Sequence, residues 1–179
     1  MIARMLVKPF GSVWKLKDLC VESKSNPLKK FYRFLYGWYQ FEHGSAIDYR
    51  AKLSGVPTLP FGTKQIIINP EVEIGKNCII YPQVMIGADH SIDGIDKESP
   101  VIGDNCFLCA GVKIFGAVTI GNNVRIMANC VIIEDVPDNS IVTVNPPHIE
   151  TKDHEVDTKH YRKHLGELHY IEGNKLVKV

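Results

Sequence analysis

A large aliphatic side chain recurs at every sixth position along the central part of the chain, and a smaller apolar residue follows almost every one of them four places later. The large series is Ile68, Ile74, Ile80, Ile86, Ile102, Leu108, Ile114, Ile120, Ile126 and Ile132. The small series is Val72, Cys78, Val84, Cys106, Val112, Val118, Val124, Cys130 and Val136. A helix repeats its apolar face about every 3.6 residues and a strand about every 2, so a period of six fits neither.

A period of six predicts a β-solenoid with a prism-shaped core. Each flat side would be a short strand that points one large and one small side chain inward. Each corner would be a tight turn, where Gly or Asn tolerates unusual backbone torsions. Glycine follows the large aliphatic residue at four places, namely Gly75, Gly87, Gly103 and Gly121. Because three sides close one coil, the repeat predicts roughly three coils and a fraction.

The repeat is interrupted once, between Ile86 and Ile102, which are one hexad and about ten further residues apart. A solenoid buries its core by stacking coils, so an insertion is predicted to leave the prism as an external loop, at residues 88–100. This stretch is polar and acidic, and it holds the only histidine within the repeat, His90. Loops on rigid scaffolds often carry the chemistry of a protein.

The segments outside the repeat define the predicted domain organisation: a mostly helical segment at 1–58, the solenoid at 59–148 and a C-terminal extension at 149–179. Helices are predicted at about 12–22 and 27–43. Asn26 could cap the second of these, Pro27 would lie in its first turn and Gly44 would end it.

The second predicted helix is crowded with aromatic residues. We expect its rings to pack on the solenoid or on a partner subunit. Two other roles remain open, acceptor binding and contact with a membrane surface, the latter favoured by Lys29, Lys30 and Arg33. In the tail, a short helix is predicted around 159–169. It would place His160 and His164 on one solvated face, with no third ligand at a spacing that suits a metal.

Composition narrows the possible functions. The chain has 45% hydrophobic residues and a net charge of +1, which argues against a nucleic-acid binder. It contains no apolar run of about 20 residues, and its first ten residues do not resemble a signal peptide. Three of the five cysteines occupy the small inward position of the hexad, which suggests core packing in a reducing compartment. A cytoplasmic location is therefore predicted.

These hexads resemble the left-handed parallel β-helix of the hexapeptide-repeat acyltransferases. The run from Glu134 to Ser140, with its Asp-Val-Pro, is similar to the last coil of the sugar and polysaccharide acetyltransferases in that family. The resemblance covers about residues 60–150. It implies acetyl-CoA as cosubstrate, no metal, and a homotrimer with a site at each of its three interfaces.

Within this family, the segment from Ile86 to Gly94 is similar to the loop of the galactoside, maltose and xenobiotic acetyltransferases, where a histidine is the catalytic base. The resemblance implies that His90 removes the proton of the acceptor, which suits an imidazole with a pKa near working pH. Asp93 and Asp89 are the nearest carboxylates in sequence and could orient the ring.

The serine acetyltransferase branch of the family differs in carrying two other histidines. One lies on the coil before the loop and one directly before the proline that corresponds to Pro100. Here, Leu59-Pro60-Phe61-Gly62 and Ser99 occupy those places. The serine-type pair is thus absent, and His90 is the sole candidate base.

The resemblance also implies where acetyl-CoA would bind. The matching corner positions are Ala110, Gly111 and Ala128, where the pantetheine arm would run along the backbone. The family often carries Thr-Lys and a basic residue at three further places, which here hold Ile133, Glu134 and His148.

The predicted function is therefore acetyl transfer from acetyl-CoA to a hydroxyl of a carbohydrate, such as a surface-polysaccharide saccharide or its precursor. Two alternatives remain open. One is N-acetylation of an amino-sugar nucleotide. The other is a non-catalytic trimeric scaffold, suggested by Glu134 and by Val144, which stands where the family usually has glycine.

Overall fold

The computed structural model describes residues 2–88, 99–145, 151, 153, 159–172 and 175–179. Two units are separated by their internal contacts, Met1–Asn145 and Pro146–Val179. The first contains three α-helices followed by a solenoid of short parallel strands. The second contains a small antiparallel sheet. The loop residues His90, Asp93 and Asp89 and the exit residue His148 lie outside the described residues.

Three helices begin the chain: α1 (Ile2–Val7), α2 (Val13–Glu22) and α3 (Asn26–His43). Ser12 caps α2, since its Oγ accepts a hydrogen bond from the Lys15 amide at 3.1 Å. Gly44 ends α3 in the left-handed conformation, with a φ of 58°. Both expected helices are present. The sequence did not predict α1, whose six residues are too few to show a helical period.

The solenoid strands follow in chain order. They are β1 (Ala46–Ile47), β2 (Lys52–Leu53), β3 (Ile67–Ile68), β4 (Glu73–Ile74), β5 (Ile79–Ile80), β6 (Met85–Gly87), β7 (Val101–Ile102), β8 (Phe107–Leu108), β9 (Lys113–Phe115), β10 (Thr119–Ile120), β11 (Arg125–Ile126), β12 (Val131–Ile132) and β13 (Ile141–Val142). They form three parallel sheets: sheet A is β1-β3-β6-β9-β12, sheet B is β2-β4-β7-β10, and sheet C is β5-β8-β11-β13. Successive strands pass from sheet to sheet, as a three-sided prism requires.

The core of the prism consists of the two hexad series. Every member of both series is at most 8% exposed, and most of the large ones are completely buried. One large and one small side chain from each side fill each layer, so the three sheets enclose most of the core themselves, and Trp14 of α2 packs against it. The prediction of a hexad-based solenoid core is confirmed.

One column of corners is held by a ladder of asparagines. Asn77, Asn105, Asn123 and Asn139 all lie in the left-handed region, with φ between 57° and 59°. The side-chain amide of each of the first three donates to the side-chain oxygen of the next, at 3.2, 3.1 and 2.9 Å. Asparagine tolerates this conformation better than most residues, so the prediction for asparagine corners is confirmed.

The glycines that follow the large aliphatic residues have a different role. Gly75, Gly103 and Gly121 have no positive φ. Instead, the backbone of the next coil passes directly over them. A Cβ atom built on Gly103 would lie 2.8 Å from both the carbonyl carbon and the oxygen of Gly121. The expectation of unusual torsions at these glycines is therefore wrong, because close approach of two coils is what excludes a side chain.

The register of the strands accounts for the interruption of the repeat. Corner partners on adjacent regular coils are 18 residues apart, as with Asn105 and Asn123. Across the interruption they are 28 residues apart, as with Asn77 and Asn105. β6 still pairs with β9 in parallel, with Ile86 opposite Ile114. The ladder thus continues over the insertion without a slip.

The solenoid begins earlier than the sequence predicted. β1 and β2 pair in parallel with β3 and β4, so the first coil starts at Ala46 and not near residue 59. Partners on this coil are 21 residues apart, as with Lys52 and Glu73. This coil is three residues longer than a regular one, so its strands do not follow the six-residue period of the rest. For that reason the period did not predict it. Within 46–88 and 99–145, the hexad strands make three coils (β3–β5, β6–β8 and β9–β11) and a fraction (β12 and β13), as predicted, and β1 and β2 add the earlier coil.

The C-terminal unit is an antiparallel sheet of β14 (His160–His164), β15 (Glu167–Glu172) and β16 (Lys175–Lys178). Leu165 and Gly166 join the first two strands, both with positive φ (52° and 83°), as a tight hairpin turn requires. The predicted helix at 159–169 is wrong because this turn lies in its middle. Among the described residues, no group of three potential ligands could hold a metal ion.

Candidate functional site

The corner between sheets C and A stacks small residues from successive coils. We name Pro82, Ala110, Gly111, Ala128 and Asn129 the small-residue corner. The Gly111 amide donates to the Pro82 carbonyl at 3.1 Å, and the Asn129 amide donates to the Ala110 carbonyl at 3.0 Å. The structure thus brings Ala110, Gly111 and Ala128, all predicted to contact the cosubstrate, into one column.

The coils stack closely at this corner because its middle position has no side chain. Gly111 has a φ of 75°, and a Cβ atom there would lie 3.3 Å from Cγ of Asn129 and closer still to its side-chain oxygen. A larger residue would be strained in torsion and would crowd the next coil. The resulting surface suits a narrow, extended ligand that runs along the backbone of successive coils.

Ile133 and Glu134 lie at a different corner, between sheets A and B, where they follow β12. Ile133 is 74% exposed, and both residues line a hollow of about 300 Å³ that Pro137 and Ser140 also border. The side chain of Asp135 closes this corner by accepting from the Thr119 amide at 2.7 Å. One strand of sheet A therefore separates these two predicted cosubstrate contacts from Ala128.

The insertion leaves and rejoins the solenoid at the same corner column as Ile133. By register, Gly87 is opposite Phe115. The Gly87 carbonyl accepts from the Gly116 amide at 3.1 Å. On the return side, Ser99 Oγ donates to the Pro70 carbonyl at 3.1 Å. Both ends of the segment that carries His90 are thus fixed to the rigid ladder.

Sequence reasoning did not single out Lys113, which lies between the two corners. Its Nζ donates to the Gly111 carbonyl at 3.1 Å, so its charge is held beside the small-residue corner. The other outward positions of sheet A next to it, Met85 and Val131, are apolar. Comparison of outward positions in the hexad register could have revealed this isolated cation.

Sheet C carries a column of aromatic rings. The ring of Phe61 lies 5.8 Å from that of Tyr81, and Tyr81 lies 5.3 Å from Phe107. The Arg125 guanidinium lies 4.7 Å from the Phe107 ring centre and ends the column. Phe61 occupies the region where a histidine of the serine-type pair was expected, and its ring stacks there without any group that could accept a proton.

The cysteines differ in their accessibility. Cys20, Cys78, Cys106 and Cys130 are buried, whereas Cys109 in the strand end before the small-residue corner is partly exposed. Burial raises the pKa of Cys20 to about 11 and also raises the pKa of Cys130. A buried thiol with a raised pKa is a poor nucleophile.

We therefore expect iodoacetamide to modify Cys109 first in the native protein. Mass spectrometry of samples quenched over time should show one fast site, with the other four at least tenfold slower because they need transient opening. Unfolding in urea should make all five react at similar rates. Fast native labelling of Cys106 would contradict the core packing.

Residues 99–134 match the bacterial transferase hexapeptide family (six repeats). This part of the solenoid is thus similar to the hexapeptide repeats of bacterial transferases.

Curated relatives extend this likeness. The serine acetyltransferase of Staphylococcus xylosus is 40% identical over 88 residues, which cover 49% of this chain and 40% of that protein. The serine acetyltransferase of Staphylococcus aureus strain N315 is 39% identical over 88 residues, with the same coverage of each chain. The alignment therefore spans well under half the length of these relatives.

Solved structures share the fold. Serine acetyltransferase isoform 3 from Entamoeba histolytica, in complex with cysteine, has a TM-score of 0.64 and 25% identity, over 79% of this chain and 49% of that chain. Native serine acetyltransferase 1 from the same organism has a TM-score of 0.62 and 26% identity, over 74% and 49%. With the hexapeptide match, this likeness indicates the left-handed form of the parallel β-helix.

The expected carbohydrate acceptor is wrong. The relatives are serine acetyltransferases, not sugar acetyltransferases of the galactoside, maltose or xenobiotic type. We therefore abandon the related hypotheses as well. These are N-acetylation of an amino-sugar nucleotide, a non-catalytic scaffold, and a role in polysaccharide biosynthesis. The prediction relied on a few loop residues around His90, whereas the hexad core is common to enzymes with many acceptors.

Proposed function

We propose that this protein is an acetyl-CoA-dependent O-acetyltransferase that acetylates the hydroxyl group of serine. The observation that carries the proposal is the 40% identity to a serine acetyltransferase over 88 residues. Acetylation of a serine hydroxyl is itself O-acetyl transfer, so the predicted reaction type is kept while the acceptor changes.

The small-residue corner supports acetyl-CoA as the acyl donor. Gly111 lets successive coils stack closely at this corner, and the pantetheine arm would run along the backbone of Ala110 and Ala128 beside it. Glu134 would repel phosphate groups, so we assign the phosphate end of the cosubstrate to Lys113. His148 would be a further contact near the exit of the solenoid.

His90 would act as the general base. Its imidazole would take the proton of the serine hydroxyl as that oxygen attacks the thioester carbonyl. The carbon–sulfur bond then breaks, and the imidazolium returns the proton to the departing thiolate of CoA. Asp93 or Asp89 would hold the ring in the correct tautomer. The step needs no other reactant.

Two departures from the serine branch make His90 more important here. Phe61 and Ser99 occupy the places where that branch was expected to carry histidines. The Ser99 hydroxyl is already engaged with the Pro70 carbonyl. With neither place able to supply an imidazole, the loop histidine would be the only base.

We expect the active form to be a homotrimer. Met127, Val131, Ile133 and Ile141 are exposed apolar residues on the last coils, with exposures between 39% and 74%. A neighbouring solenoid could cover them and supply the second wall of the cosubstrate groove.

Calorimetric titration with acetyl-CoA, followed by a thiol-release assay with L-serine, tests the proposal. We expect saturable binding near one site per chain and CoA release that depends on serine. Ala128→Trp should weaken binding at least tenfold, since its ring would fill the small-residue corner. Ala46→Trp, an equal change on the first coil, should leave binding unchanged.

Each part of the proposal can fail separately. Absence of acetyl-CoA binding by the purified oligomer would overturn the assignment as an acetyltransferase. Binding without serine-dependent CoA release would overturn serine as the acceptor, while the cosubstrate site would stand.

A further inference from the structure

The helix α3 has an apolar outward face. Phe31, Phe34, Trp38 and Phe41 lie 3, 4 and 3 residues apart, which places them on one side of a helix. They are 50%, 61%, 40% and 86% exposed, respectively. The opposite side, which includes Leu35, packs on the rest of the unit and is buried. Because the packed side already anchors the helix, the outward rings are not needed to hold it.

The outward rings form an ordered surface. Phe34 and Trp38 meet edge to face, with ring centres 5.9 Å apart. Trp38 Nε1 donates to Glu42 Oε1 at 3.0 Å, which orients the indole. Exposed apolar side chains also lie on α1, which packs against α3: Met5 is 74% exposed and Leu6 41%. We name Met5, Leu6, Phe31, Phe34, Trp38 and Phe41 the aromatic face.

The segment that carries this face is strongly basic. The first 33 residues contain eight Lys and Arg against two Asp and Glu, a net charge of +6 in a chain whose total is +1. Lys29, Lys30 and Arg33 lie on α3 itself, and Lys30 is exposed beside the rings. The rest of the chain is therefore net acidic, so the basic residues are concentrated in the segment that carries the exposed rings, although Arg33 itself donates to the Cys20 carbonyl and Lys17 is buried.

We propose that the aromatic face docks on a bilayer that contains anionic phospholipid. Exposed Phe and Trp on one side of a helix, surrounded by Lys and Arg, are the features of helices that lie in the membrane interface. The rings would enter the boundary between headgroups and acyl chains, and the basic residues would contact the lipid phosphates. None of the described helices is long and apolar enough to cross a bilayer, so the contact is peripheral.

Charge favours lipid over a second copy of the chain as the occupant. Pairing two copies through this face would bring two segments of charge +6 together. An anionic bilayer supplies the opposite charge as well as an apolar phase for the rings. This inference does not depend on the acetyltransferase proposal, because no residue of the aromatic face belongs to the small-residue corner.

Cosedimentation with vesicles tests the proposal on the full chain. We expect binding to phosphatidylcholine vesicles that contain phosphatidylserine, little binding to phosphatidylcholine alone, and release at high salt. Phe34→Ser with Phe41→Ser should reduce partitioning at least tenfold. Lys29→Glu with Lys30→Glu should reduce it roughly fivefold or more per charge changed. Phe61→Ser, the same change at a 60% exposed ring of the solenoid, should have no effect.

Trp38 provides a direct reading of insertion. Its fluorescence should shift to the blue on binding and be quenched by brominated lipid, whereas Phe34→Ser with Phe41→Ser should show neither change. Circular dichroism would verify that the variants are folded. Equal binding of wild type and the double Phe variant would overturn the proposal. So would a drop in the oligomeric mass of that variant without any vesicle binding by wild type, since the face would then join copies of the chain.

Discussion

Replacing Gly103 with alanine is expected to lower the free energy of unfolding by about 3 kcal/mol, the upper end of the usual cost of overpacking. The added Cβ would lie 2.8 Å from the Gly121 backbone, which belongs to the next coil and cannot rotate away. The two coils would have to separate locally, which weakens the parallel pairing of β7 with β10. Urea unfolding followed by circular dichroism would measure the change.

Gly37 offers a matched control for this prediction. It lies in the interior of α3, and a Cβ built there meets nothing within 4 Å. Gly37→Ala should raise the free energy of unfolding by about 0.8 kcal/mol, since alanine is the better helix former. The same chemical change should thus have opposite signs at the two positions. Similar effects at both would contradict the close approach of the coils.

Under the proposed mechanism, replacing His90 with alanine should lower kcat for acetyl transfer to serine by about 10²- to 10⁴-fold, the usual contribution of a general base. Affinity for acetyl-CoA should not change, because the small-residue corner is built from other residues. A thiol-release assay and calorimetry on the same preparation would separate the two effects.

The pH profile of the wild-type enzyme provides a second reading of the same role. Activity should fall toward acidic pH, because a protonated imidazole can no longer accept a proton. His169→Ala, a change at a half-buried histidine on β15, should keep both the rate and the profile of wild type. Unchanged turnover in His90→Ala would remove this residue from the mechanism.

The hexad period predicted the core of the solenoid because packing inside a narrow prism dictates it directly. Each inward position accepts one size of side chain, so Ile114 and Val118 reveal their burial by spacing alone. The first coil was missed since three additional residues, between β2 and β4, shift its strands out of the period. A local change in the length of a turn does not appear in a periodic pattern, so the sequence did not predict this coil.

The chemistry was less predictable than the core. Ala110, Gly111 and Ala128 meet at one corner because coil stacking fixes the distance between them. Their register was therefore sufficient to predict that they lie close together. The acceptor class is different: it depends on a few side chains that the core does not constrain. The same holds for the tail, which forms a hairpin and not a helix because Leu165 and Gly166 make a tight turn. A leucine with positive φ is rare, so the sequence did not indicate this turn.

The unbroken register across the insertion has a consequence for how this protein can change. β6 pairs with β9 in parallel, with Ile86 opposite Ile114. The coil between them is 28 residues long, which is 10 residues more than the 18 of a regular coil. Lengthening a closed loop costs little, about 0.6 kcal/mol for each doubling. The register of the ladder is therefore insensitive to the length of the segment between Gly87 and Ser99. Insertions or deletions in that segment can therefore accumulate without changing the step from Asn77 to Asn105 in the corner ladder.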